Sequence, residues 1–109
     1  MDIWKLGKNI VQSIYVLTAQ FPAHENYVLA QQMRKAAISI PSNIAEGFNR
    51  FHNKEYKQFL FIALGSCAEL ETQLEISLDL GYIHEDICKK LIEQLNHETR
   101  MIRNLIKCL

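Results

Sequence analysis

The sequence predicts an all-α fold, an antiparallel up-down-up-down four-helix bundle with a proline-kinked second helix. Apolar residues recur at alternating steps of three and four over four long segments, which is the spacing of amphipathic helices. The 109 residues include only four glycines and two prolines, which favours long helices. The breaks between segments are short, which makes consecutive helices antiparallel neighbours. The length fits a single domain at residues 1–109.

The first two helices are predicted at about residues 2–20 and 25–48. Pro22 separates them, because a proline disfavours helix in the residue before it. Pro41 falls inside the second helix, where a proline removes a backbone hydrogen bond at a cost of about 3 kcal/mol. The apolar spacing continues in phase across Pro41. The sequence therefore predicts one continuous, kinked helix here rather than two helices.

The third and fourth helices are delimited by residues typical of helix ends. Asn53 is the predicted N-cap of the third helix. Gly81 is its predicted left-handed C-terminal residue. The fourth helix is expected to open near His84, with an apolar stripe that begins at Ile87 and continues to Leu109.

Charge and cysteine content narrow the possible classes of function. Twelve basic and twelve acidic residues cancel, which argues against a dedicated nucleic-acid binder. Three cysteines without a CxxC spacing argue against a disulfide framework or a zinc site and favour reduced thiols. The longest apolar run, residues 59–64, is far shorter than the roughly 20 residues that span a bilayer. We therefore expect a cytoplasmic protein without membrane contact.

The charges are nonetheless unevenly distributed along the chain. Residues 69–79 hold four carboxylates and no cation, and residues 100–107 are basic. On antiparallel neighbours, such blocks are more often complementary solvated faces than binding sites.

The third helix carries a second apolar row on the side opposite its core line. This α3 row consists of Phe61, Ile62, Gly65, Ala68, Thr72 and Ile76. The first helix has a shorter α1 row, which consists of Trp4, Val11 and Tyr15. Scattered apolar residues are ordinary on a protein surface. Two rows at helical spacing favour burial against another copy of the chain, so we expect a homo-oligomer.

Several polar side chains lie close to the predicted core lines. They are Gln32, Arg34, Ser39, Asn43, Glu46, Glu71 and Glu98. Carboxylates inside a four-helix bundle can hold two iron ions, but that site uses a Glu-x-x-His pair on two helices. No glutamate here is followed by histidine three residues later. We therefore predict no metal, cofactor or catalytic residue, and expect a buried polar network that fixes helix register within the bundle or across a subunit boundary.

Basic and aromatic residues alternate around the second break. The candidate nucleic-acid contacts are Lys35, Arg50, His52, Lys54 and Lys57, with Phe51 among them. Such a cluster can contact phosphates and stack on bases. A solubilising loop and helix start would explain the same residues.

Two stretches of the chain carry a family resemblance. Residues 32–47, QMRKAAISIPSNIAEG, and residues 63–74, ALGSCAELETQL, resemble the signature of the four-helix bundle proteins encoded in 23S rRNA intervening sequences. Trp4, the Phe21-Pro22 turn and Leu80-Gly81-Tyr82 are similar too, so the resemblance covers nearly the whole chain. It extends to the accessory proteins of diversity-generating retroelements, which share this bundle.

The resemblance implies a bacterial bundle that assembles into a ring-like homopentamer, and it supplies no catalytic residue. The retroelement relatives are basic and bind nucleic acid together with a reverse transcriptase, whereas this chain is neutral. The molecular function of most other members is unknown. Our hypothesis is a non-enzymatic, self-assembling scaffold or adaptor. The alternative is an RNA- or DNA-binding accessory protein that uses a basic rim on the oligomer. The expected partner is another copy of the chain, with nucleic acid or a partner protein as the further candidates.

Overall fold

The computed structural model describes all 109 residues and contains four α-helices and no strand. The helices are α1 (Asp2–Thr18), α2 (Leu29–Phe48), α3 (Asn53–Asp79) and α4 (Glu85–Cys108), and a 3-10 turn at Ala23–Glu25 precedes α2. These elements confirm the predicted all-α fold. None of the helices combines the length and the apolar character needed to cross a membrane.

Each helix packs against its neighbour in the chain, and α1 also packs against α4. The diagonal pairs, α1 with α3 and α2 with α4, make no close backbone contact. Between α2 and α3, Ser39 bonds to Ser66, and Met33 lies against Ser77. These pairs run in opposite directions along the two helices, as the predicted antiparallel order requires. The largest fully buried apolar side chains are those of Ile10, Ile14, Met33, Ile40, Ile44, Leu60, Leu70, Leu74, Leu95 and Ile102.

Pro41 lies inside the continuous helix α2, as the unbroken apolar spacing predicted. Its ring is buried against α1, where a Cβ on Gly7 would lie 3.3 Å from the Cβ of Pro41. A glycine at this point of α1 lets the two helices approach closely. Whether Pro41 also bends α2 stays a prediction.

Two of the predicted helix starts were wrong. Helix α2 begins at Leu29 rather than near Glu25. The Glu25 carboxylate accepts hydrogen bonds from the Leu29 N–H and from the Tyr82 hydroxyl, so it is tied to the turn before the helix. At the start of α3, His52 rather than Asn53 occupies the N-cap position, and no side chain caps that end.

The end of α3 and the start of α4 agree with the sequence. Gly81 has a φ of 78°, and the N–H groups of Gly81 and Tyr82 donate to the carbonyls of Leu78 and Ser77. This pair of bonds is the Schellman arrangement, which a glycine at that position favours. His84 is the N-cap residue of α4.

The core also differs in detail from the predicted stripes. Ile87 is exposed and Cys88 is buried in its place, so the apolar stripe of α4 starts one residue later. Thr18 and Ser77 are fully buried hydroxyl residues that the apolar pattern missed. Each donates to the carbonyl four residues earlier, at 2.7 and 2.8 Å, which removes the cost of burying a polar group.

Candidate functional site

The α3 row lies at the surface of the chain. Phe61, Ile62 and Ile76 are each 42–56% exposed. Gly65, Ala68 and Thr72, which lie between them, are exposed as well. A Cβ added to Gly65 would meet no atom within 4 Å, so nothing in the chain covers the centre of the row. The row is a strip of apolar and small side chains that another helix can approach closely.

The α1 row is more covered than the α3 row, and cations lie over its aromatic rings. Trp4 and Val11 are half-buried and Tyr15 is exposed. The Lys8 ammonium lies 3.8 Å from the centroid of the Trp4 ring, and the Arg34 guanidinium carbon lies 5.2 Å from that of Tyr15. Cation–π attraction holds both charges against the row. Neither cation has a carboxylate within 4 Å.

The structure divides the predicted polar network into separate groups. The Ser66 hydroxyl donates to Ser39 Oγ at 2.8 Å, and Asn43 Nδ2 donates to the same oxygen at 2.9 Å. The bond between Ser66 and Ser39 joins α3 to α2, and the bond from Asn43 lies within α2. Arg34 instead donates from Nε to Thr18 Oγ1 at 2.9 Å, on α1. Ser66 was not predicted, because one serine between apolar neighbours gives no signal in the sequence.

Three predicted members of the network take no part in these hydrogen-bonded groups. Gln32 and Glu46 are exposed, and Glu71 is half-buried. Glu46 forms an ion pair with Arg50, one turn later. Gln32 and Glu46 lie at the outer edge of α2, where long polar side chains reach water.

Glu98 is the member that lies fully inside the bundle, and there the predicted hydrogen bonding was wrong. Its side chain is 0% exposed, and neither carboxyl oxygen has a hydrogen-bond partner. A Cβ on Gly7 would lie 2.9 Å from Glu98 Oε2, so the carboxyl fills the space left by that glycine. Loss of hydration raises the pKa of Glu98 to about 8. The carboxyl is therefore protonated at neutral pH.

The candidate nucleic-acid contacts do not form one surface. Lys35 lies about 20 Å along α2 from the end of that helix at Phe48, at 1.5 Å per residue, and Arg50 follows that end. Arg50 is held by Glu46 and Glu55. The remaining members stay near the turn between α2 and α3 without an ion pair. They are His52, Lys54 and Lys57. Phe51, in the same turn, is 98% exposed.

The four-helix unit as a whole matches a known protein family. Residues 1–104 match the family model of the 23S rRNA-intervening sequence protein. The chain belongs to this family. The match spans α1, α2, α3 and most of α4, so the α3 row and Glu98 lie within the matched residues. The relation of this chain to retroelement accessory proteins stays a prediction.

A solved structure with the same fold is a protein of unknown function from the S23 ribosomal protein family of Bacteroides thetaiotaomicron VPI-5482. The two chains are 20% identical, and the similarity covers 96% of this chain and 98% of the other chain, with a TM-score of 0.89. At this identity the likeness shows the fold alone. No functionally curated protein matches the chain.

Gly7 is expected to contribute to stability by leaving room for the side chains of Glu98 and Pro41. Gly7→Ala should destabilise the fold by about 1–3 kcal/mol, because the new methyl would collide with Glu98 and press on Pro41. Gly65→Ala is the matched control, since that helical glycine faces open space and alanine should stabilise by roughly 0.5–1 kcal/mol. Urea denaturation in a Phe61→Glu background removes any contribution from assembly. Equal stabilities for the two variants would contradict the packing.

Proposed function

We propose that this protein is a non-enzymatic scaffold or adaptor that self-assembles through the α3 row. The observation that carries the proposal is the exposure of Phe61, Ile62 and Ile76 at helical spacing on one face. Burying a large apolar side chain supplies about 1.5–3 kcal/mol that exposure forgoes. The core side of α3 is already used within the bundle, so cover for the α3 row has to come from outside the chain.

The α1 row supplies a second surface for the contact. Helices α1 and α3 occupy diagonal positions in the bundle, so the two rows lie on different corners of the chain. The α3 row of one copy can therefore pack on the α1 row of the next, which is a heterologous contact that forms a ring when the rotation closes. The family resemblance suggests a ring of five copies.

Chemical crosslinking tests this contact between copies. The experiment places Val11→Cys and Ala68→Cys together in a Cys108→Ser background. Cys67 and Cys88 are buried, and burial raises the pKa of both thiols, that of Cys67 to about 12, so neither competes at neutral pH. A short bis-maleimide should give a ladder of covalent multimers on a denaturing gel.

Single-cysteine chains provide the control for direction. In a heterologous contact, position 11 meets position 68, so Val11→Cys alone and Ala68→Cys alone should stay uncrosslinked. Dimers from either single variant would indicate an isologous contact instead. A double variant that stays uncrosslinked would argue against the proposal.

An RNA- or DNA-binding accessory protein is the second candidate. His52, Lys54 and Lys57 have no ion pair and lie near the fully exposed ring of Phe51, which is a combination suited to phosphates and bases. An oligomer would repeat this cluster around a rim. The resemblance to retroelement accessory proteins adds support, and the zero net charge argues against it.

We expect weak or no binding of nucleic acid at physiological salt, because a neutral chain offers few phosphate contacts. Fluorescence polarisation with labelled RNA and DNA measures this. The second candidate would replace the first if binding were tight and strongly salt-dependent, and if Arg50→Glu, Lys54→Glu and Lys57→Glu abolished it. The same charge change at Arg100, Arg103 and Lys107 is the control.

A further inference from the structure

The acidic half of α3 forms no ion pair within the chain, although Glu69 lines a groove together with Lys35 of α2. Residues 69–79 hold four carboxylates, and none lies within 4 Å of a cationic group. The basic residues 100–107 do not reach them. Cys88 of α4 bonds to the Leu74 carbonyl of α3, so the antiparallel course places the end of α4 beside the first half of α3. The expected complementary faces of α3 and α4 are therefore out of register.

A cationic cleft lies between α1 and α2, and at its edge Lys35 also lines the α2–α3 groove that contains Glu69. The cleft has a volume of about 430 Å³ and is lined by Arg34 and Lys35 together with Tyr15, Tyr27 and neutral side chains. No carboxylate belongs to its lining. Neither Arg34 nor Lys35 has an ion pair in the chain.

Arg34 is fixed in position rather than free in solvent. Its Nε donates to the hydroxyl of Thr18, which is fully buried and itself donates to the Ile14 carbonyl at 2.7 Å. The guanidinium thus lies over Tyr15 with its two terminal nitrogens unbonded. A guanidinium with a free edge fits a carboxylate in a bidentate pair.

We propose that two exposed α3 carboxylates of one copy, Glu75 and Asp79, pair with Arg34 and Lys35 in the α1–α2 cleft of the next copy. This inference rests on the proposed self-assembly through the α3 row. The carboxylates flank that row, and Arg34 lies over the α1 row, so packing row on row brings the opposite charges together. The apolar rows drive association, and the charges select which surfaces meet and in which register.

Two variants test the pairing from its two sides. The cation variant carries Arg34→Glu and Lys35→Glu, and the carboxylate variant carries Glu75→Lys and Asp79→Lys. Each gives the α3 row and the α1–α2 cleft flanking charges of the same sign, so sedimentation velocity at low salt should show a dissociation constant raised at least tenfold. A chain with all four substitutions restores opposite charges and should return to near the wild-type constant.

The control variant carries Arg100→Glu and Arg103→Glu, which is the same charge change at the exposed end of α4. It should keep the wild-type constant. Circular dichroism checks that each variant is folded. The Arg34→Glu change also removes the contact with Thr18, which could disturb the fold. The carboxylate variant changes only exposed side chains, so its dissociation constant tests the pairing independently of that contact.

The outcomes distinguish a failure of the charge pairing from a failure of the proposed self-assembly on which it rests. A monomeric wild-type chain would overturn both. Assembly of the wild type, with both variants behaving like the control, would overturn the pairing and leave self-assembly standing. Dissociation of both variants without recovery in the four-substitution chain would also overturn it. Loss of oligonucleotide binding by the cation variant at unchanged mass would assign the cleft to nucleic acid instead.

Discussion

Phe61→Glu is expected to dissociate the assembly and to leave the fold intact. The Phe61 ring is more than half exposed in the single chain, so its loss removes little from the core. In the assembly the new carboxylate would lie in an apolar contact, where an unpaired charge costs several kcal/mol. We expect at least a hundredfold increase in the dissociation constant, measured by sedimentation velocity.

Phe51→Glu is the matched control for this substitution. It makes the same chemical change at a ring that is 98% exposed, in the turn between α2 and α3 and outside the α3 row. Its dissociation constant should equal that of the wild type. Equal dissociation of both variants would contradict the assignment of the contact to the α3 row. The same conclusion would follow if Phe61→Glu kept the wild-type mass while circular dichroism showed native helix.

Glu98 should make the stability of the fold depend on pH. Its pKa is about 8 in the folded chain and about 4.5 as an ordinary glutamate. Between these values the folded state holds a proton that the unfolded state lacks, so the free energy of unfolding falls as the pH rises. The slope is roughly 1 kcal/mol per pH unit. Below pH 4.5 both states are protonated and above pH 8 both are ionised, so the contribution is constant outside this window.

Glu98→Gln isolates this contribution, because glutamine has nearly the same shape and no titratable proton. Urea denaturation at pH 5 and at pH 8, in the Phe61→Glu background, gives the stability of each chain. The variant should gain about 3–4 kcal/mol relative to the glutamate chain between these two pH values. A difference that does not change with pH would mean that Glu98 is ionised in the folded state and is not as buried as described.

Patterns within single helices account for what the sequence could predict. Apolar spacing gives the helices and most of the core, and it keeps α2 continuous across Pro41 because burial of that face outweighs one lost hydrogen bond. Gly81 marks the end of α3 by its backbone preference alone. The angular position of Glu98 on α4 was enough to predict its burial.

Contacts between helices account for what the sequence could not predict. The start of α2 depends on the hydroxyl of Tyr82, more than fifty residues away, which holds Glu25 in the turn. The isolation of the Glu98 carboxyl depends on Gly7 of α1 meeting α4 at that level. Lys35 was assigned to the basic cluster although the predicted extent of the second helix already placed it in mid-helix, several turns before the α2–α3 turn.

Self-assembly of the wild-type chain is the central claim, and its molar mass in solution tests it most directly. Multi-angle light scattering on the protein at tens of micromolar should give several times the chain mass of 12.7 kDa. Five copies would give about 64 kDa. A mass of 12.7 kDa at that concentration would contradict the claim, because the α3 row would then be an ordinary exposed surface.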